Sequence, residues 1–233
     1  MTRSSERFEV YLELGQKRVF AGALNWPGWC RGGRDEVSAL QALFEYGPRY
    51  ARALRTARLG FHAPKDVSAF AVVERLKGNT TTDFGAPDAA PARDTKPIKD
   101  AELRRFQTLL KACWRTFDAG TREAMGQTLR KGPRGGGRDL DRIIEHVLGS
   151  DAGYLSSLGW KLDLHEAKDS DDALKHTRQM ILKALAEAAH NKLPARGPRG
   201  GVHWTPRYFV RRVVWHTLDH VWEIEDRLEI KPI

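Results

Sequence analysis

Beyond residue 98, four successive stretches repeat apolar residues at steps of three and four, at about residues 100–129, 139–157, 170–192 and 205–228. This period constrains the fold more than any other feature. In the first stretch it runs through Leu103, Phe106, Leu109, Leu110, Trp114 and Phe117. Each apolar stripe must be buried against another, so four amphipathic helices in succession predict an all-α four-helix bundle over residues 99–233. Asp139, Ser170 and Thr205 stand where side-chain caps are expected, and Pro206 suits a first helical turn. The twelve residues 158–169 can stretch about 36–40 Å, the order of a twenty-residue helix. A long crossover that makes the second and third helices parallel is therefore within reach. The glycine-rich loops 132–138 and 197–201 would then lie at opposite ends.

The first 85 residues follow a different rule. Residues 8–14 and 17–24 read as short strands about a Gly15-Gln16 turn, a hairpin signal. Residues 26–33 hold too much glycine and proline for a helix. Asp35 can cap a helix starting near Glu36, which Gly47-Pro48 should bend or split. A further strand is expected at 69–76. The chain thus reads as α+β: a small N-terminal α/β module over 1–85, a proline-rich linker at 86–98 and a helical domain after it.

A chain of 233 residues, 41% hydrophobic and 30% charged, has the composition of a folded globular protein rather than of a disordered or fibrous one. No run is long and apolar enough for a membrane helix, and the polar start lacks a signal peptide's apolar core, so the expectation is a cytoplasmic protein. Two cysteines, Cys30 and Cys113, are too few for a disulfide framework. The net charge of +9 favours anionic partners without naming one. Arginines 49, 52, 55 and 58 read as a solvated helix face. No basic block is interleaved with stacking aromatics, which argues against nucleic acid as a partner.

The chemistry-bearing residues are histidines. His216 and His220 sit four apart in the last helical stretch, on one face, where both imidazoles can reach one ion. His146, in the second stretch, can supply a third nitrogen if those helices pack together, and three imidazoles leave an open coordination position. The competing reading is a set of buried neutral histidines satisfied by Asp219, Glu223 or Glu145. Zinc suits three imidazoles, and nickel, ferrous iron and copper also bind them. His62, His165, His176, His190 and His203 fall in loops or on solvated faces, His203 being close enough to the last helix to line an entrance. Arg134, Arg138 and Arg199, in or beside the glycine-rich loops, could meet a carboxylate or phosphate.

Two resemblances bear on these motifs. Residues 24–40, with Pro27-Gly28, Gly32-Gly33 and the helix start at Asp35-Glu36, resemble the HicB antitoxin family over roughly residues 6–76, although Glu36-Val37-Ser38 replaces that family's paired acidic residues. This resemblance implies an α/β sandwich used for binding or assembly, homodimerisation included. The C-terminal part resembles the DinB-like family over about residues 100–230. That resemblance implies a divalent metal on His146, His216 and His220. It also implies a thiol-dependent S-transferase or related enzyme acting on a low-molecular-weight thiol and a small electrophile. The alternative is a regulatory or partner-binding protein whose metal site is structural or vestigial.

Overall fold

The computed structural model describes residues 7–131, 137–164, 167–198 and 200–228. The chain divides into two compact units, Met1–Lys96 and Pro97–Ile233. It is α+β: a small mixed sheet comes first, and long helices follow. No described helix is long and apolar enough to cross a membrane.

In the first unit, β1 (Phe8–Leu14), β2 (Val19–Ala23), β3 (Cys30–Gly33) and β4 (Phe70–Lys77) form one sheet in the order β3-β2-β1-β4. The β1–β2 and β2–β3 pairs are antiparallel and β1–β4 is parallel. The strand β3 falls where sequence suggested only a turn. Its glycines serve close approach: a Cβ on Gly33 would lie 2.3 Å from the Ala39 backbone nitrogen, so only glycine lets β3 pass under the helix that follows. That helix, α1 (Glu36–Glu45), starts with a capping box between Asp35 and Ser38, and α2 (Gly47–Leu54) follows across Tyr46, with Pro48 in its first turn. The expected split at Gly47-Pro48 is therefore present. Trp29 anchors the core, donating from its ring nitrogen to the Leu43 carbonyl at 2.8 Å and stacking on Tyr50.

A short helix, α3 (Thr80–Phe84), precedes the proline-rich segment. Residues 86–98, expected as a linker, are not a free tether. The fully buried Glu13 carboxylate on β1 accepts from the Thr82 hydroxyl and from the Asp88 and Ala89 amides, at 2.8 and 3.0 Å for the two amides. Further along, Ala92 donates to Glu74 and Arg93 pairs with Glu9. A buried carboxylate needs donors, and here the segment's backbone supplies them. The units separate only after Lys96.

The second unit contains α4 (Asp100–Ala124), α5 (Leu140–Leu158), α6 (Ser170–Ala189) and α7 (Pro206–Arg227). The apolar period placed all four, with two corrections. α4 stops five residues before Leu129, because the chain turns extended at Met125 and Leu129 instead bridges to Leu228. α6 is capped by Asp169, not Ser170. The directions of the helices follow from contacts at their ends. Arg207 at the start of α7 pairs with Glu102 at the start of α4, and Arg130 beyond α4 donates its amide to the Arg227 carbonyl at 2.8 Å, so α4 and α7 are parallel. α5 runs the other way: Arg138 at its start accepts from Arg227, and Ser157 at its end accepts from the Trp204 amide. α6 opposes α4, with Arg178 on Asp118 and His190 near Asp100. Hence α5 and α6 are parallel.

α7 is the most buried helix, with apolar Phe209, Val210, Val213, Val214 and Leu218 fully enclosed. A buried carboxyl also lies in α5. Asp151 is 1% exposed, and one of its oxygens has no hydrogen-bond partner among the described residues. Burial pushes its pKa up to about 7, against the pull of Arg178. Because the folded-state pKa lies above the ordinary 3.8, the protonated form stabilises the fold, and that contribution is lost as pH rises from about 4 through about 7. Asp151→Asn should therefore gain stability relative to the parent as pH rises across that window, on the order of 4 kcal/mol at full extent. Urea unfolding of both proteins at pH 4.5 and 8 checks this; a constant difference would refute it.

Candidate metal centre

α5 and α7 pack side by side, and their facing stripes place His146 against His216 and His220. The last two follow from the four-residue step on α7. His216 and His220 are each 6% exposed, whereas His146 is half-buried. The three rings do not stack but meet edge to face, with centroids 4.5 to 5.0 Å apart and interplanar angles of 60 to 83°. Their nitrogens converge. His216 Nε2 lies 3.2 Å from His146 Nε2 and 3.2 Å from His220 Nε2.

A tetrahedral zinc with bonds of about 2.0–2.1 Å holds neighbouring ligand nitrogens about 3.3 Å apart. The observed spacing fits that demand. Protonation fits as well: burial first, then neighbouring His220 and Arg138, holds His146 below the ordinary 6.5, and burial with its cationic and imidazole neighbours holds His216 well below it. Neutral imidazoles with free lone pairs are what a metal requires.

The tautomer of His220 is fixed from outside the triad. His220 Nδ1 donates to Glu223 Oε2 at 2.8 Å, which turns its Nε2 lone pair toward the other two histidines. Glu223 Oε1 in turn accepts from Arg227 at 2.6 Å. The hydrogen bond from His220, then those from Arg227, keep the Glu223 carboxyl below its usual range despite burial. Arg227 also donates to the carbonyls of Arg130 and Arg138, at 2.8 and 2.7 Å. A Cβ on Gly137 would lie 2.6 Å from that guanidinium, so the glycine makes room for it. His216 Nδ1, by contrast, is buried without a hydrogen-bond partner among the described residues.

Of the three acids weighed from sequence, the structure gives Glu223 to His220, while Glu145 pairs with Arg142 on the surface. Sequence reading passed over Arg227, Arg212 and Tyr154. The signal for the arginines was present: 212, 216, 220, 223 and 227 form one stripe at steps of three and four. Tyr154 on α5 has its ring 5.7 Å from that of His216 and accepts from Arg212 at 3.5 Å.

The remaining candidates separate from the centre. His203 packs on Gly159, with Nδ1 2.6 Å from the Pro194 carbonyl. His190 faces Asp100, and neither His62 nor His176 joins a metal-ligand cluster among the described residues. His165, Arg134 and Arg199 lie outside the described residues. Cys113 is fully buried, and burial raises its thiol pKa, so it offers no nucleophile. A cavity of about 540 Å³ between α4, α5 and α6, walled by Trp114, Ile144 and Arg178, does not reach the histidines.

No protein-family model, curated protein or solved structure matches this chain. The chemistry must be argued from the centre itself. Three imidazoles whose ligand nitrogens lie within 4.8 Å of one another could hold a divalent cation and leave at least one position for another ligand. Glu223→Gln should weaken zinc affinity about 10- to 100-fold, read by competition with a chromophoric chelator. Glu145→Gln should leave it unchanged; equal affinity in both variants would show that Glu223 does not support the ligand.

Proposed function

We propose that the second unit is a DinB-like four-helix bundle holding a divalent metal on His146, His216 and His220, and that it catalyses thiol-dependent S-transfer or a related reaction. The convergence of three Nε2 atoms from α5 and α7 carries this reading. The first unit is then a HicB-like partner or dimerisation module. Zinc suits the ligand set, with nickel and iron as alternatives decided by availability.

When bound, such an ion lowers the pKa of a thiol in its open position, so that a thiolate is present at neutral pH. The chain's own residues do the rest. Glu223 and Arg227 fix the tautomer and orientation of His220. Val213, Val214, Leu218, Val221 and Trp222 exclude water from the α7 side. In the transfer, sulfur forms its bond to the electrophile with its own electron pair, the leaving group departs with the pair it held, and the thiol proton passes to solvent. His146, the most exposed of the three ligands, marks the side from which small molecules enter.

A second reading, a structural metal in a regulatory or partner-binding protein, draws on the burial of His216 and His220. Two measurements separate the readings. The purified protein should contain a transition metal, with His216→Ala and His220→Ala both losing it; unchanged metal content in both variants would remove the site. Thiol transfer to a panel of electrophiles should require the metal, ceasing with a chelator and returning with zinc. Failure with every electrophile while metal is bound would favour the structural role.

A further inference from the structure

The cavity of about 540 Å³ between α4, α5 and α6 stands apart from the histidines. α6 packs more closely on α5 than on α4, and the cavity fills the looser seam. Leu140, Ile144, Leu174 and Leu182 make its walls aliphatic, and Trp114 and the exposed Met125 extend them. Small-molecule sites have volumes of about 300–1,000 Å³ and present mostly apolar walls with a few charged groups. The charged groups here do not cancel. Asp118 is taken, accepting from Arg178 at 2.7 and 2.9 Å. Asp141 and Asp171 stand in the first turns of α5 and α6, where a negative charge answers the positive end of the helix dipole. Lys111, Arg122 and Lys175 are left, and none of them has an ion-pair partner among the described residues.

The Arg178–Asp118 pair sets the level at which α6 and α4 face each other. The two helices are antiparallel, so Lys175, three residues before Arg178, and Arg122, four after Asp118, both lie about one turn from that pair in the same direction. They stand at one level on opposite walls. Lys111 is eleven residues from Arg122 on α4, about 16 Å along the helix, and lies beyond the same head group. We propose that the cavity binds an aliphatic monocarboxylate of medium chain length, its carboxylate between Arg122 and Lys175 and its chain running past Leu174 toward Leu182 and Trp114. Charge-assisted hydrogen bonds from two cations hold the head group, and the aliphatic walls take the chain out of water. An acidic helix of a partner, about 10–12 Å across with its side chains, would need a wider groove. The site is independent of the metal centre.

The test titrates decanoate and decanol, alike in chain length, separately into the full-length protein, below the concentration at which decanoate forms micelles, and follows binding by calorimetry. Decanoate should bind about 10-fold tighter than decanol. Arg122→Gln combined with Lys175→Gln should remove that preference and leave decanol unchanged. Ile144→Trp, which fills the cavity, should weaken both ligands about 10-fold or more. His216→Ala should leave both affinities as they are. Binding of neither ligand, equal affinities in the parent protein, a preference that survives the double charge variant, or unchanged binding in Ile144→Trp would each overturn the inference without touching the metal reading. Decanoate binding lost in His216→Ala would also overturn it, placing the carboxylate on the metal instead. Should Ile144→Trp not fold, a fluorophore attached through Gln179→Cys, on the cavity wall and with both native cysteines buried, should change its emission with decanoate; unchanged emission would overturn the inference.

Discussion

The burial of α7 is the constraint from which the second unit follows. A helix enclosed on nearly every side must satisfy its polar residues inside the protein, since an unpaired buried group costs about 1–3 kcal/mol. α7 carries Arg211, Arg212, His216, Thr217, His220 and Arg227 into that interior. Several are satisfied along the helix itself: Thr217 returns its hydroxyl to the Val213 carbonyl, His220 donates to Glu223, and Glu223 accepts from Arg227. The last link leaves the helix. Arg227 holds the carbonyls of Arg130 and Arg138, fixing the chain after α4 and before α5. The orientation of His220 and the closure of one end of the unit thus share a single guanidinium.

That arrangement separates the three histidines in rigidity. His220 is held by a carboxylate and His216 by packing, both on α7; His146 stands on another helix and reaches solvent. Burial and neighbouring positive charge hold His146 below its ordinary range and His216 well below it. Rings held unprotonated in this way keep their nitrogen lone pairs open to a metal ion. A purely structural account, with each imidazole satisfied by an acid, holds for His220 alone.

The sequence made the helices legible because burial in the second unit is periodic, and periodicity needs no knowledge of partners. The His216–His220 pair was legible for the same reason: one helix fixes their spacing. His146 required the further premise that α5 and α7 pack together. What escaped notice depended on tertiary contact. β3 was hidden because Gly32 and Gly33 signal a turn locally, while Gly33 gives clearance beneath α1 and Gly32 lies against the Phe20 ring of β2. The hold of Glu13 on residues 88–89 spans more than seventy positions of chain and leaves no local pattern. The loop contacts of Arg227 also leave no local pattern, since its acceptors there are backbone carbonyls that any residue would provide.

The asymmetry among the three histidines bears on where an exchangeable position could lie on a bound ion. On the α7 side, the neighbours Val213, Val214, Trp215 and Leu218 are themselves buried, and Glu223 occupies the far nitrogen of His220. A fourth ligand therefore has to approach where α5 contributes its half-buried histidine. Tyr154 lies two turns further along α5, against the His216 ring and under Arg212. A molecule entering past His146 thus meets the three converging nitrogens first, with the Arg212–Tyr154 pair beside them.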